Sequence, residues 1–180
     1  MRPGAQTLEG ASRIDSRRTR INLVTHPPIL ESRAIRWTTE SECAAFAESL
    51  ARRPGLHDAF IALEGPLGAG KTTFARHLLR ALGATGRIKS PTYALLEPYE
   101  LPSLHASHLD FYRFADPREW VDAGLREVFE RPGLKLVEWP DKAGDLLPTA
   151  DLRLHVEPRD DGTRDVAVHA LTPCGVELLT

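Results

Sequence analysis

Residues Gly65 to Thr72 read GPLGAGKT, a match without departure to G-x-x-x-x-G-K-[S/T], and no other feature of the chain restricts its fold as strongly. Such a loop needs a strand to enter it and a helix to leave it. Both are legible. Ala59 to Leu63 is a short continuous apolar run, the pattern of a strand buried on both faces. From Lys71 to Leu82, the residues Phe74, Leu78, Leu79 and Leu82 recur on one side of a helix, and Gly83 is placed to end it. In this setting the glycines let the backbone curl so that successive N–H groups converge on an anion. The helix that follows adds the positive end of its dipole. Lys71 supplies a point charge for the β- and γ-phosphates of a nucleoside triphosphate, and the Thr72 hydroxyl is a hard oxygen suited to Mg²⁺. A chance glycine-rich turn has no need of Lys and Thr directly after its last glycine. The expected nucleotide contacts therefore run through Gly65, Leu67, Gly68, Ala69, Gly70, Lys71, Thr72 and Thr73.

A loop of this kind also needs a carboxylate at the end of a neighbouring strand, to hold the metal shell or orient water. Asp110 follows the strand candidate Leu104 to Leu109, and Glu138 follows Leu134 to Val137. His105 and His108, three apart on a strand, point to opposite faces and cannot chelate one ion together. GTP-reading proteins carry an N-K-x-D element. This chain has a single Asn, Asn22, and no such element, so ATP is the expected nucleotide.

The remaining pattern fits a mixed α/β domain over residues 31–180. A helix is expected after Thr38 and Thr39, with Cys43, Phe46, Ala47 and Leu50 on its apolar side and Pro54-Gly55 as its stop. Tyr93 to Tyr99 reads as a strand and Pro117 to Phe129 as a helix. Leu152 to Val156 and Val166 to Ala170 alternate around a turn at Arg159 to Gly162, an antiparallel C-terminal hairpin on a mainly parallel sheet. Residues 1–30 differ: five arginines against Glu9 and Asp15, without apolar periodicity, read as a disordered extension. A net charge of −2 gives no global case for binding nucleic acid directly. Cys43 and Cys174 lie far apart in no metal-ligand spacing, as expected of reduced thiols in a cytoplasmic protein. No apolar run approaches a membrane span.

Four segments in this order resemble the TsaE (YjeE) family, the P-loop ATPases of bacterial tRNA threonylcarbamoyladenosine (t6A) biosynthesis: GPLGAGKTTF from Gly65, KSPTY from Lys89, HLDFYR from His108 and VEWP from Val137. The resemblance runs from about Thr38 to the C-terminus. It implies an ATPase, weak on its own, that supports a TsaB–TsaD pair in modifying position 37 of ANN-decoding tRNAs, the transfer chemistry belonging to that pair. It further implies that Thr72 and Glu138 hold Mg²⁺, that Asp110 is the acid needed for hydrolysis and that Ser90, Pro91 and Thr92 form a switch-type loop near the γ-phosphate. Trp139 is implied to lie beside the nucleotide and Thr39 near its base. Pro66 departs from the Asp common in the family, at a position that contributes backbone geometry more than side-chain chemistry.

Two other functions share the loop. A small-molecule P-loop kinase needs an acceptor pocket and an Arg-bearing lid; Arg113, Arg118 and Arg126 are available but form no lid signature. A nucleotide-dependent binding module would hold ATP with negligible turnover.

Overall fold

The computed structural model describes residues 27–180. The expectation of a disordered extension falls mostly on residues 1–26, outside the described residues; Leu30 N–H already donates to Ala170 O at 2.8 Å.

Seven strands form one sheet: β1 (Glu31–Trp37), β2 (Phe60–Glu64), β3 (Leu96–Glu100), β4 (His105–Asp110), β5 (Leu134–Glu138), β6 (Leu152–Pro158) and β7 (Arg164–Ala170). Their spatial order is β1-β7-β6-β2-β5-β4-β3. The four inner strands β6, β2, β5 and β4 run parallel. Antiparallel strands close both sides: β7 then β1 beyond β6, and β3 beyond β4. The expected mixed sheet and C-terminal hairpin are both present.

Parallel strands covered on two faces must be apolar on both. β2 meets that demand and β5 does so apart from buried Lys135 and its terminal Glu138, and their alternate residues feed two separate cores. Ile61, Leu63, Leu134 and Leu136 pack with helices α1 (Glu40–Ala51) and α2 (Lys71–Ala81). Phe60, Ala62, Leu109 and Val137 pack on the opposite face, under Phe111, Phe114 and Trp120. α1 begins with a reciprocal cap: Thr39 Oγ1 accepts from Glu42 N–H, and the Glu42 carboxylate accepts from Thr39 N–H. Trp37 stacks on Phe74 with centroids 6.0 Å apart, and Phe46 leans on both rings, tying β1, α1 and α2 together.

Two local expectations change. The helix expected over 117–129 is two short pieces, α3 (Glu119–Asp122) and α4 (Arg126–Glu130), because Gly124 takes φ 67° and breaks the i→i−4 ladder. The strand expected from Tyr93 begins only at Leu96. Leu95 N–H turns back to Pro91 O at 2.7 Å, and Leu95 itself has φ 64°. Two elements had no forecast: edge strand β1 and the C-terminal helix α5 (Pro173–Leu179), which is capped by Thr172.

Candidate functional site

The parallel strands β2, β4 and β5 deliver Glu64, Asp110 and Glu138 to one end of the sheet, their C-terminal ends, where open α/β sheets hold ligands. The glycine loop leaves β2 there. Gly65 has φ 126°, and a Cβ on it would lie 2.1 Å from Val156 O, so only glycine lets the loop turn against β6. Gly70 has φ 113° and is the N-cap of α2.

A cleft of about 270 Å³ opens over this end. It is lined by Leu67, Gly68, Gly70, Lys71, Thr72, Thr73, Ser90, Thr92, Asp110, Tyr112, Glu138 and Trp139. Eleven of these twelve were expected from the sequence; Tyr112 was not. Gly65 and Ala69 shape the loop from behind, Ala69 being fully buried. Pro91 is buried at the base of the turn that carries Ser90 and Thr92. Thr39 does not line the cleft; it is exposed and caps α1.

The polar groups of the cleft hold one another. Thr72 Oγ1 lies 2.8 and 2.9 Å from the two oxygens of Glu138. The Glu138 carboxylate, 3% exposed, also accepts from His108 Nε2 at 2.9 Å. His108 is fully buried, and its Nδ1 has no hydrogen-bond partner among the described residues. Because the carboxylate can only accept, Nε2 is the donor in this contact. This contact was missed in the sequence: opposite faces ruled out His105 and His108 as a pair, and nothing local links His108 to an acid 30 residues away.

Asp110, 2% exposed, is fully engaged as well. Its Oδ2 accepts from Ser90 Oγ and from Thr92 Oγ1, the latter at 2.7 Å, and its Oδ1 accepts from Tyr112 N–H at 2.9 Å. The turn after Pro91 is thus fastened to the end of β4.

Lys71 Nζ donates to Gly65 O at 2.7 Å and Pro66 O at 2.9 Å, and sits 4.0 Å from the centre of the Trp139 ring. Burial pulls its pKa below the usual lysine value; the charges of Glu138, Asp110 and Asp141 act against that shift. Trp139 reaches this position through a left-handed backbone, φ 59° and ψ 49°, which also brings its ring to 5.2 Å from Tyr112. A left-handed bulky residue is uncommon and strained.

A glycine loop between a buried parallel strand and a helix, with carboxylates at the adjoining strand ends, defines a P-loop nucleoside triphosphatase-type α/β domain. A family model described as threonylcarbamoyl adenosine biosynthesis protein TsaE matches residues 37–166. The chain is 37% identical over 135 residues to a tRNA threonylcarbamoyladenosine biosynthesis protein TsaE of Haemophilus influenzae, covering 75% of this chain and 85% of that one. A Bacillus subtilis protein of the same name is 33% identical, with 76% and 86% covered. Among solved structures, Bacillus subtilis YdiB superposes with a TM-score of 0.69 at 27% identity, covering 83% of this chain and 92% of that one. The chain belongs to the TsaE family.

Proposed function

We propose that this protein binds ATP with Mg²⁺ in the cleft, hydrolyses it slowly, and supports a TsaB–TsaD pair in forming t6A at position 37 of ANN-decoding tRNAs in the cytoplasm. The observation that carries the reading is the junction of Thr72 with Glu138, at 2.8 and 2.9 Å, which joins the glycine loop to the end of β5. An alcohol and a carboxylate in contact are hard oxygen donors, the set that Mg²⁺ accepts alongside phosphate oxygens. Thr72 and Glu138 fit that metal, which when bound supplies positive charge against the phosphate oxygens.

The protein's own groups do the rest. Backbone N–H groups of the loop and the α2 N-terminus receive the phosphates. Lys71 trades its two carbonyl acceptors for phosphate oxygens, an exchange favoured by the greater negative charge of the ligand. Asp110 accepts hydrogen bonds from Ser90 and Thr92, so the turn they occupy is coupled to the group placed to orient water. His108 holds the Glu138 carboxylate at its place on β5. Trp139 offers an aromatic face at the rim, suited to stacking on a nucleotide.

The test is ATP hydrolysis by the purified chain alone and with the TsaB and TsaD homologues and tRNA. Slow turnover alone, raised by the partners and accompanied by t6A formation, is expected. Absence of ATP binding would overturn the reading. Transfer of phosphate to a small molecule would replace it with a kinase.

A further inference from the structure

Against the glycine loop, outside the lining of the cleft, stands a cation that the nucleotide chemistry above does not use. Arg164 is the first residue of β7, at the base of the β6–β7 hairpin, 95 residues from the loop it touches. Its Nε–H donates to Ala69 O at 2.8 Å, and its Nη1 donates to Gly162 O at 3.1 Å within the hairpin turn. The guanidinium is therefore anchored at one end and grips the loop at the other. Contact is close: a Cβ added to Gly70 would lie 3.1 Å from Arg164 Nε.

The consequence follows from peptide geometry. A trans peptide is planar, and its C=O and N–H point in opposite directions. No cis peptide occurs among the described residues. With Ala69 O held towards Arg164, the N–H of the same Ala69–Gly70 peptide must face away from it. Gly70 lines the cleft, and its N–H finds no acceptor among the described residues. A glycine at φ 113°, beside others in the loop that also have positive φ, can rotate its peptide at little cost. Something must choose between the two faces, and Arg164 is the group in position to do so.

We propose that Arg164 is a positioning residue for the anion nest: its Nε–H holds Ala69 O outward and thereby presents Gly70 N–H to the phosphates of a bound nucleotide. The inference rests on the triphosphate reading of the cleft. It concerns the neutral donor as much as the charge, and two substitutions separate them. Arg164→Met keeps the length of the stem and loses the donor. Arg164→Gln places an N–H the same number of bonds from the backbone as Arg Nε, and loses the charge.

The experiment measures ATP affinity of the full chain by calorimetry without Mg²⁺, so that Thr72 and Glu138 are not the readout, together with the melting temperature and the amide resonance of Gly70. Arg164→Met is expected to weaken Mg²⁺-free ATP binding about tenfold, the scale of one hydrogen bond that bears on a charged ligand. It should also move the Gly70 amide resonance in the nucleotide-free protein. Arg164→Gln should restore most of the affinity and the wild-type resonance. Equal affinity in wild type and Arg164→Met overturns the inference and leaves the triphosphate reading standing. An equal loss in Met and Gln variants also overturns it, since a donor restored at the position of Nε would then restore nothing. A lower melting temperature with unchanged affinity would make Arg164 a hairpin anchor only, and overturns it too. Wild-type protein that binds no ATP removes both the reading and the inference.

Discussion

Lys71 is 4% exposed, yet its ammonium group touches no carboxylate among the described residues; it is held by two backbone carbonyls and a ring face. Such a cation is available to a ligand, as the proposed function requires. Its removal deletes an interaction with charged phosphate while leaving both apolar cores untouched. Lys71→Ala is expected to weaken ATP binding by about 1.5–3 kcal/mol or more, the range for a charge-assisted hydrogen bond, with the circular dichroism spectrum unchanged. Unaltered affinity in calorimetry would remove Lys71 from the site. Glu138 belongs to a different part of the same chemistry. Glu138→Gln keeps the shape and takes away the charge that Thr72 and His108 both face. It should lower affinity for MgATP on the order of tenfold and leave Mg²⁺-free binding near wild type. Equal MgATP affinity in the two proteins would show that the carboxylate is not a ligand.

At the scale of elements, the loop depends on how β2, β6 and α2 meet. Gly65 shows this most sharply: its φ of 126° disfavours any side chain, and a Cβ would overlap Val156 O on β6. Backbone on the neighbouring strand cannot give way as a flexible side chain can. Gly65→Ala should therefore cost more than about 4 kcal/mol, in the tail of single-substitution effects, and be read as a large fall in melting temperature or loss of soluble protein. A variant that melts like wild type would mean that the loop relaxes freely. The same interplay explains what could be read in advance. β2, α2, β4 and β5 were legible because each is defined by its own apolar pattern and a terminal Gly or acid. β1 was not: Ser32, Arg33 and Arg36 make it polar, and it is a strand only because β7 pairs along its whole length. The break at Gly124 was hidden because glycine within a helical pattern is tolerated as often as it interrupts. In the site, residues carried by the loop and strand ends were visible. Tyr112, His108 and Arg164 were not, because each acts through a contact made by tertiary packing, with no spacing rule to announce it.

For the molecule as a whole, the question is whether nucleotide turnover is joined to anything outside the chain. Under the proposed function, Asp110 is the residue expected to separate binding from hydrolysis. It stands at the end of β4, buried, and accepts from Ser90, Thr92 and the backbone of Tyr112. In the proposed function the phosphates are received elsewhere, by the loop, Lys71 and the α2 N-terminus. Removing the charge at Asp110 should then disturb the ground-state complex little. A group that orients water matters chiefly in the transition state, where interactions change rate rather than affinity. Asp110→Asn retains a side chain of the same shape, with one oxygen still able to accept from Ser90 or Thr92. The variant is expected to bind ATP within a few-fold of wild type and to lose most hydrolysis, on the order of a hundredfold, the lower end of general acid–base contributions. If turnover resets a complex with TsaB and TsaD, the same variant should also support about one round of t6A formation and then stop, although the transfer chemistry lies in the partners. Affinity, hydrolysis and multiple-turnover t6A formation measured on a single preparation decide the matter. Normal hydrolysis by Asp110→Asn would remove Asp110 from the reaction. Sustained t6A formation without hydrolysis would leave the residue its role and break the link between ATP turnover and tRNA modification.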